Sequence, residues 1–109
     1  MARKVVLAGG CRTAIGVMGG GLSTTPATKL GEIVVRESLK RAGVKPEMVD
    51  EVYMGCVIQA GLGQNPARQA AVNAGIPVEV PATTINVLCG SGLHCVNLAA
   101  KLIANGYAD

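Results

Sequence analysis

Residues 93–104 constrain this chain more than any other stretch. Only His94, Asn97 and Lys101 interrupt an otherwise apolar run, which stops at Asn105-Gly106. A run of that length with a glycine stop predicts a helix. Its apolar side chains go nearly all the way round, so it needs cover on more than one side. That predicts a position inside a structure larger than one small domain. Just before it stand Cys89-Gly90-Ser91-Gly92 and, earlier, residues 83–87, which read as a buried strand.

The rest of the chain repeats that order. Residues 4–9 form a short apolar run bounded by glycines and predict a first strand. Residues 15–25 are rich in Gly, Ser and Thr and predict a surface loop. The triplet Gly19-Gly20-Gly21 lacks the lysine and the spacing of a phosphate-binding loop. A helix follows, with Thr25 as its N-cap, Pro26 as its first residue and Gly43 closing it after Ala42. Lys29, Glu32, Arg36 and Lys40 lie along one stripe, and Leu30, Val34, Val35, Leu39 and Ala42 lie opposite. The pairs Glu32–Arg36 and Glu37–Arg41 read as a solvated face. Residues 51–58 predict a second strand, apolar on both faces, as in a sheet covered on both sides. Asn65 caps a helix beginning at Pro66 and running to about Ala74, and residues 76–81 form an extended linker. The order βαβαβα indicates an α/β layered fold with parallel pairing.

Composition removes several classes of function. Half of the 109 residues are hydrophobic and 16% are charged, too apolar for a disordered chain. With no Phe or Trp and two Tyr, the core must come from Val, Ile, Leu, Met and Ala. A net charge of +3 from scattered basic residues, with almost nothing to stack on bases, argues against nucleic acid. The apolar run after Lys4 is short of a secretory signal, and no run approaches the ~18 residues of a membrane span. The expected location is therefore cytoplasmic. The cysteines, Cys11, Cys56, Cys89 and Cys95, include no Cys-x-x-Cys, and the single histidine has no partner at ligand spacing, so no metal site is expected. Structural disulfides are not expected either.

Cys89 is the candidate reactive residue. It stands between a buried strand and a buried helix, and the following Gly90-Ser91-Gly92 leaves room for a carbonyl to approach the sulfur. Unpaired N–H groups at a helix start favour negative charge, both on a thiolate and on the oxyanion its attack creates. Strand, nucleophile, small residues and helix is also the logic of the nucleophile elbow. These residues alone leave two readings open, a covalent nucleophile and a buried structural thiol. His94 is a poor base for it, because five helical residues rotate the side chain by about 140°. Cys95 is likewise badly placed for a local disulfide with Cys89.

Four segments carry a resemblance. They are Arg12-Thr-Ala-Ile-Gly16, Gly55 to Ala70 with its run Gln-Ala-Gly-Leu-Gly-Gln-Asn-Pro-Ala-Arg-Gln-Ala, Gly75-Ile-Pro-Val-Glu-Val-Pro81, and Asn86-Val-Leu-Cys-Gly-Ser-Gly-Leu93. Through them the chain resembles the thiolase family, on the side of the acetyl-CoA C-acetyltransferases. The resemblance implies a partial thiolase-like fold, with residues 1–109 an incomplete N-terminal domain. It puts the family's nucleophile at Cys89, which would accept an acetyl group from acetyl-CoA and pass it to a second acetyl-CoA to give acetoacetyl-CoA. Thiolysis by CoA is the reverse. Cys89's own N–H carries over as one oxyanion donor. No residue carries over for CoA binding. CoA thioesters are substrates, and no cofactor or metal is implied.

The resemblance also implies a homo-oligomer and a place in fatty acid metabolism. The family's activating histidine in Gly-His-Pro, its asparagine in Asn-Glu-Ala-Phe and its second cysteine in Cys-x-Gly-Gly-Gly do not occur in these 109 residues. The expectation is therefore that this chain is part of a longer enzyme and is inactive by itself. The alternatives are a non-catalytic truncated or partner-associating chain, a 3-ketoacyl-CoA thiolase, and a carrier-dependent condensing enzyme.

Overall fold

A computed structural model describes residues 3–109. Three helices and a two-stranded parallel sheet form it: α1 (Ala27–Ala42), β1 (Val52–Gly55), α2 (Pro66–Asn73), β2 (Ala82–Ile85) and α3 (Ser91–Ala104), with a single 3-10 turn at Pro46–Met48. The α/β class and the parallel pairing follow the sequence expectation. β1 and β2 run in register from Val52 opposite Ala82 to Gly55 opposite Ile85. Parallel neighbours need a crossover of a dozen or more residues. Here residues 56–81 supply it and carry α2.

The expected first strand does not form. Residues 3–17 have no regular structure, and Val6 and Leu7 are 69% and 81% exposed. A strand exists only through its ladder. The one backbone bond between this segment and another element is from the Arg3 N–H to the Ala104 carbonyl. Among the described residues the sheet has two strands, so an apolar run alone did not suffice.

α1 starts one residue later than expected. Pro26, in extended backbone, takes the N-cap position and makes no side-chain cap bond. The other end is as expected: Gly43 adopts φ +67°, its N–H reaches the Lys40 carbonyl, and the Val44 N–H reaches the Leu39 carbonyl. Only glycine enters that left-handed conformation without a Cβ penalty.

The Glu32 stripe differs from its reading as a solvated face. Glu32 is buried, 8% exposed; its Oε1 accepts from Lys29 Nζ at 3.0 Å and forms an ion pair with Arg36 Nη2, also at 3.0 Å. Arg36 also donates to the Asn73 carbonyl at 2.7 Å, at the end of α2. The carboxylate therefore sits under two cations at the seam between α1 and α2. Glu37–Arg41 is an exposed pair, as expected.

α2 turns a face of Ala67, Ala70, Ala71 and Ala74 inward, all buried. These small side chains let α1 approach until Gly31 lies against Ala70 and Met54. The core beneath is Val52, Ala71 and Ile76, with Val35, Leu39, Val49, Met54, Val80 and Ala82 packed on it. It is aliphatic throughout, as the composition required.

The crossover is pinned at one residue. Asn65 caps α2 through its Oδ1, which accepts from the Arg68 N–H at 3.2 Å and from Thr84 Oγ1 at 2.7 Å. Its Nδ2 donates to the Ala82 carbonyl at 2.9 Å, and Thr84 Oγ1 accepts from the Ala67 N–H at 3.0 Å. This ties the start of α2 to β2.

α3 packs one side on the sheet. Ser91 and Cys95 are its buried residues, while Leu93 is 68% exposed. The described chain thus covers one side of a helix whose sequence is apolar nearly all round. Among the described residues no helix is long and apolar enough to cross a membrane.

Candidate active site

The site is built where β2 ends. Five residues, Asn86 to Gly90, lead from Ile85 into the first turn of α3 at Ser91. Leu88, just before Cys89, has φ +55°. For a branched, bulky residue this left-handed backbone costs about 1–2 kcal/mol, so its surroundings must hold it.

They do so completely. The Val87 N–H donates to Ser91 Oγ at 2.9 Å, and the Val87 carbonyl accepts from the Gly90 N–H at 3.3 Å. The Leu88 N–H donates to Asn86 Oδ1 at 3.0 Å. The Leu88 carbonyl accepts from Ser91 Oγ at 2.6 Å and from the Ser91 N–H at 3.1 Å. Ser91 is only 4% exposed, and Asn86 is anchored in turn by its Nδ2 donating to the Val57 carbonyl at 3.1 Å. Beneath the turn, Gly55 at the end of β1 touches Ser91 and Gly92, so closely that a Cβ there would overlap them.

Cys89 emerges from this turn exposed, and it is the one exposed cysteine of the four. Among the described residues, the N–H groups of Cys89, Gly92 and Leu93 donate to nothing. Gly90, the N-cap, offers no side-chain acceptor to them. Three free donors at a helix start, in the turn that carries the exposed Cys89, make a local positive pole that suits an oxyanion.

The other cysteines are differently placed. Cys95 is buried, and burial pushes its thiol above the ordinary range. Cys11 and Cys56 are half-buried, and their thiols donate to the carbonyls of Val34 and Ile58 at 3.3 and 3.6 Å. His94 is exposed on the first turn of α3, and its ring makes no hydrogen bond among the described residues. That matches the surface position expected from its rotation. Among these residues no cluster of His, Cys, Asp and Glu could hold a metal ion.

An apolar groove of about 640 Å3 lies between α1, β1 and α3, lined by Gly55, Gly92, Cys95, Val96 and Ala99 among others. Cys89 is not in its lining. Asn86 and Ser91 went unnoticed as individual residues in the sequence. The signal was their spacing, one short polar side chain three residues before Cys89 and one two after it, where each can reach the turn backbone.

A strand running into a tied turn, a free thiol and a helix start is an arrangement that can present a nucleophile on an α/β scaffold. Comparison with known proteins makes the class specific: the thiolase N-terminal domain family matches residues 5–109. The chain belongs to the thiolase family. It is 59% identical over its whole length to an acetyl-CoA acetyltransferase of Syntrophomonas wolfei, covering 28% of that protein. It is 57% identical over 96% of its length to the enzyme of that name from Cupriavidus necator, and 56% identical over 97% to that of Chromobacterium violaceum. In each of these two it covers 27% of the relative. The chain thus spans a little over a quarter of the length of these relatives.

Proposed function

We propose that this chain supplies the acyl-accepting nucleophile, Cys89, of an acetyl-CoA C-acetyltransferase. The observation that carries this reading is the exposed Cys89 in a turn with three unpaired N–H groups at the start of α3. The relatives' shared name supplies the substrate class.

The chemistry follows from that placement. The Cys89 sulfur attacks the carbonyl carbon of acetyl-CoA after losing its proton to a base. A carbon–sulfur bond forms, and the carbonyl oxygen takes on negative charge that the Cys89 N–H stabilises. Collapse breaks the bond to the CoA sulfur, and CoA leaves with a proton. The acetyl-cysteine thioester is then attacked by the deprotonated methyl carbon of a second acetyl-CoA. This releases acetoacetyl-CoA and restores the Cys89 thiol. The base comes from sequence outside these 109 residues in this reading, and residues 1–109 alone do not turn over. A homo-oligomer in the cytoplasm, with CoA thioesters as its ligands and no bound cofactor, belongs to the same proposal.

Alkylation of the whole enzyme tests it. Iodoacetamide should label Cys89 first, and acetyl-CoA should protect it, as read by peptide mass spectrometry. Preferential labelling of Cys56 or Cys95, or no protection, refutes the assignment. Thiolysis of acetoacetyl-CoA by residues 1–109 alone refutes the dependence on further sequence.

A further inference from the structure

We infer that Asn86 and Ser91 are positioning residues that fix the Cys89 backbone, and with it the sulfur and the Cys89 N–H, in the geometry for acyl transfer. This inference rests on the reading of Cys89 as the nucleophile.

The argument is the contrast between Cys89 and the two residues before it. All four backbone polar groups of Val87 and Leu88 are bonded, three of them by the side chains of Asn86 and Ser91. The next N–H, that of Cys89, donates to no described residue. The bonding therefore stops where a substrate would need a free donor. Leu88 makes the support necessary, because its φ of +55° is a conformation a branched side chain leaves unless it is held. Ser91 holds it from the helix side, with one hydroxyl accepting from Val87 and donating to Leu88. Asn86 holds it from the sheet side, linking the Leu88 N–H to the Val57 carbonyl just past the end of β1. The loop is thus referenced to both rigid elements, which is what a reacting group within a fraction of an ångström of its target requires.

Merely structural roles make a different forecast. Loss of stability lowers the number of folded sites, whereas loss of positioning lowers the rate at each site. Ser91→Ala removes the hydroxyl at nearly constant volume, and Asn86→Ala removes an exposed side chain that the packing does not need. Both variants of the whole enzyme are titrated with iodoacetamide at Cys89 to count competent thiols. The rate of acetyl-Cys89 formation from acetyl-CoA is then measured per titrated site, with kcat and KM alongside. Alkylation, which needs no fixed carbonyl pose, should proceed at close to the wild-type rate. Acetylation per site and kcat should fall by roughly tenfold to a hundredfold at unchanged KM. The double variant should lose no more than the worse single one, since both side chains hold one turn.

Wild-type rates per site in both variants overturn the inference while leaving Cys89 the nucleophile. A loss confined to KM overturns it, as does a loss of alkylation in step with acetylation. A wild-type enzyme in which Cys89 is never acetylated removes the nucleophile reading, and this inference with it.

Discussion

Replacing Gly55 by alanine tests the contact on which the site stands. A methyl group there would lie 2.7 Å from the Cβ of Ser91, 2.8 Å from its carbonyl carbon and 2.9 Å from the Gly92 nitrogen. Non-bonded heavy atoms rest at ~3.5–4.0 Å, so the shortfall is roughly 1 Å. No rotamer change relieves it, because two of the atoms are main chain and the third is a Cβ. The end of β1 and the first turn of α3 must separate. Overpacking of this kind costs about 1–3 kcal/mol, and rigid neighbours put Gly55→Ala at the upper end. About 3 kcal/mol is roughly a hundredfold in the ratio of folded to unfolded protein. The same displacement moves Ser91, and through it the turn that carries Cys89. A misplacement of about 1 Å costs roughly a hundredfold in rate. Urea unfolding gives the first quantity, and acetylation of Cys89 per folded site gives the second. Gly92→Ala is the control. Its added methyl meets nothing within 4 Å, so the fold should hold or gain up to ~1 kcal/mol from helix propensity. A Gly55→Ala protein with wild-type midpoint and wild-type rate would show that the β1–α3 contact does not position the site.

Two further predictions concern the scaffold. The Glu32 carboxyl is held below the usual carboxylate range by hydrogen bonding from Lys29 first, with Arg36 adding to it and burial opposing both. Its folded value is depressed, so its contribution to stability is present above the ordinary ~4.3 and is lost as pH falls through the folded value. The wild-type unfolding midpoint should therefore drop more steeply below that pH than the midpoint of Glu32→Gln, and parallel curves would refute the pairing. Asn65 combines a helix cap, a link to Thr84 and Ala82, and a left-handed φ of +44°. Asn65→Ala should destabilise by about 2 kcal/mol, from the lost cap and the left-handed strain together. Asn65→Gly should lose less because it tolerates that φ, and equal losses in the two variants would assign the effect to the hydrogen bonds alone.

What the sequence showed, and what it hid, divides by the range of the interactions. Asn65-Pro66 and Gly43 announce their helix ends because capping is settled within a few residues, and both lie where the residues put them. Parallel pairing of β1 with β2 was legible because α2 stands between two apolar runs. Residues 4–9 carry as good a strand pattern as either, yet form none. A ladder depends on what lies alongside, and that is not written in the run itself. Glu32 shows the same limit. Its spacing from Arg36 predicted one ion pair, but the second, with Lys29, and the arrival of α2 with the Asn73 carbonyl on Arg36 turn a surface stripe into a buried seam.

Cys89 joins both kinds of information. Its place between strand and helix was visible in the sequence, and so was the absence of bulk after it. The choice between a core thiol and an exposed one was not, because the residues on either side are equally apolar. The turn at Leu88 separates them. The left-handed Leu88, three residues past the end of β2, redirects the chain, and Cys89 in that turn is exposed while Cys95 on α3 is buried. Keeping that turn requires two polar side chains, Asn86 and Ser91, whose types look unremarkable in a list of residues. If these two side chains position Cys89 as inferred above, a chain that kept Cys89 but replaced both would keep the thiol and lose its aim. Exposure of the sulfur is therefore the smaller part of what this loop supplies. The larger part is a backbone whose polar groups are all bonded at Val87 and Leu88 while the next N–H is free.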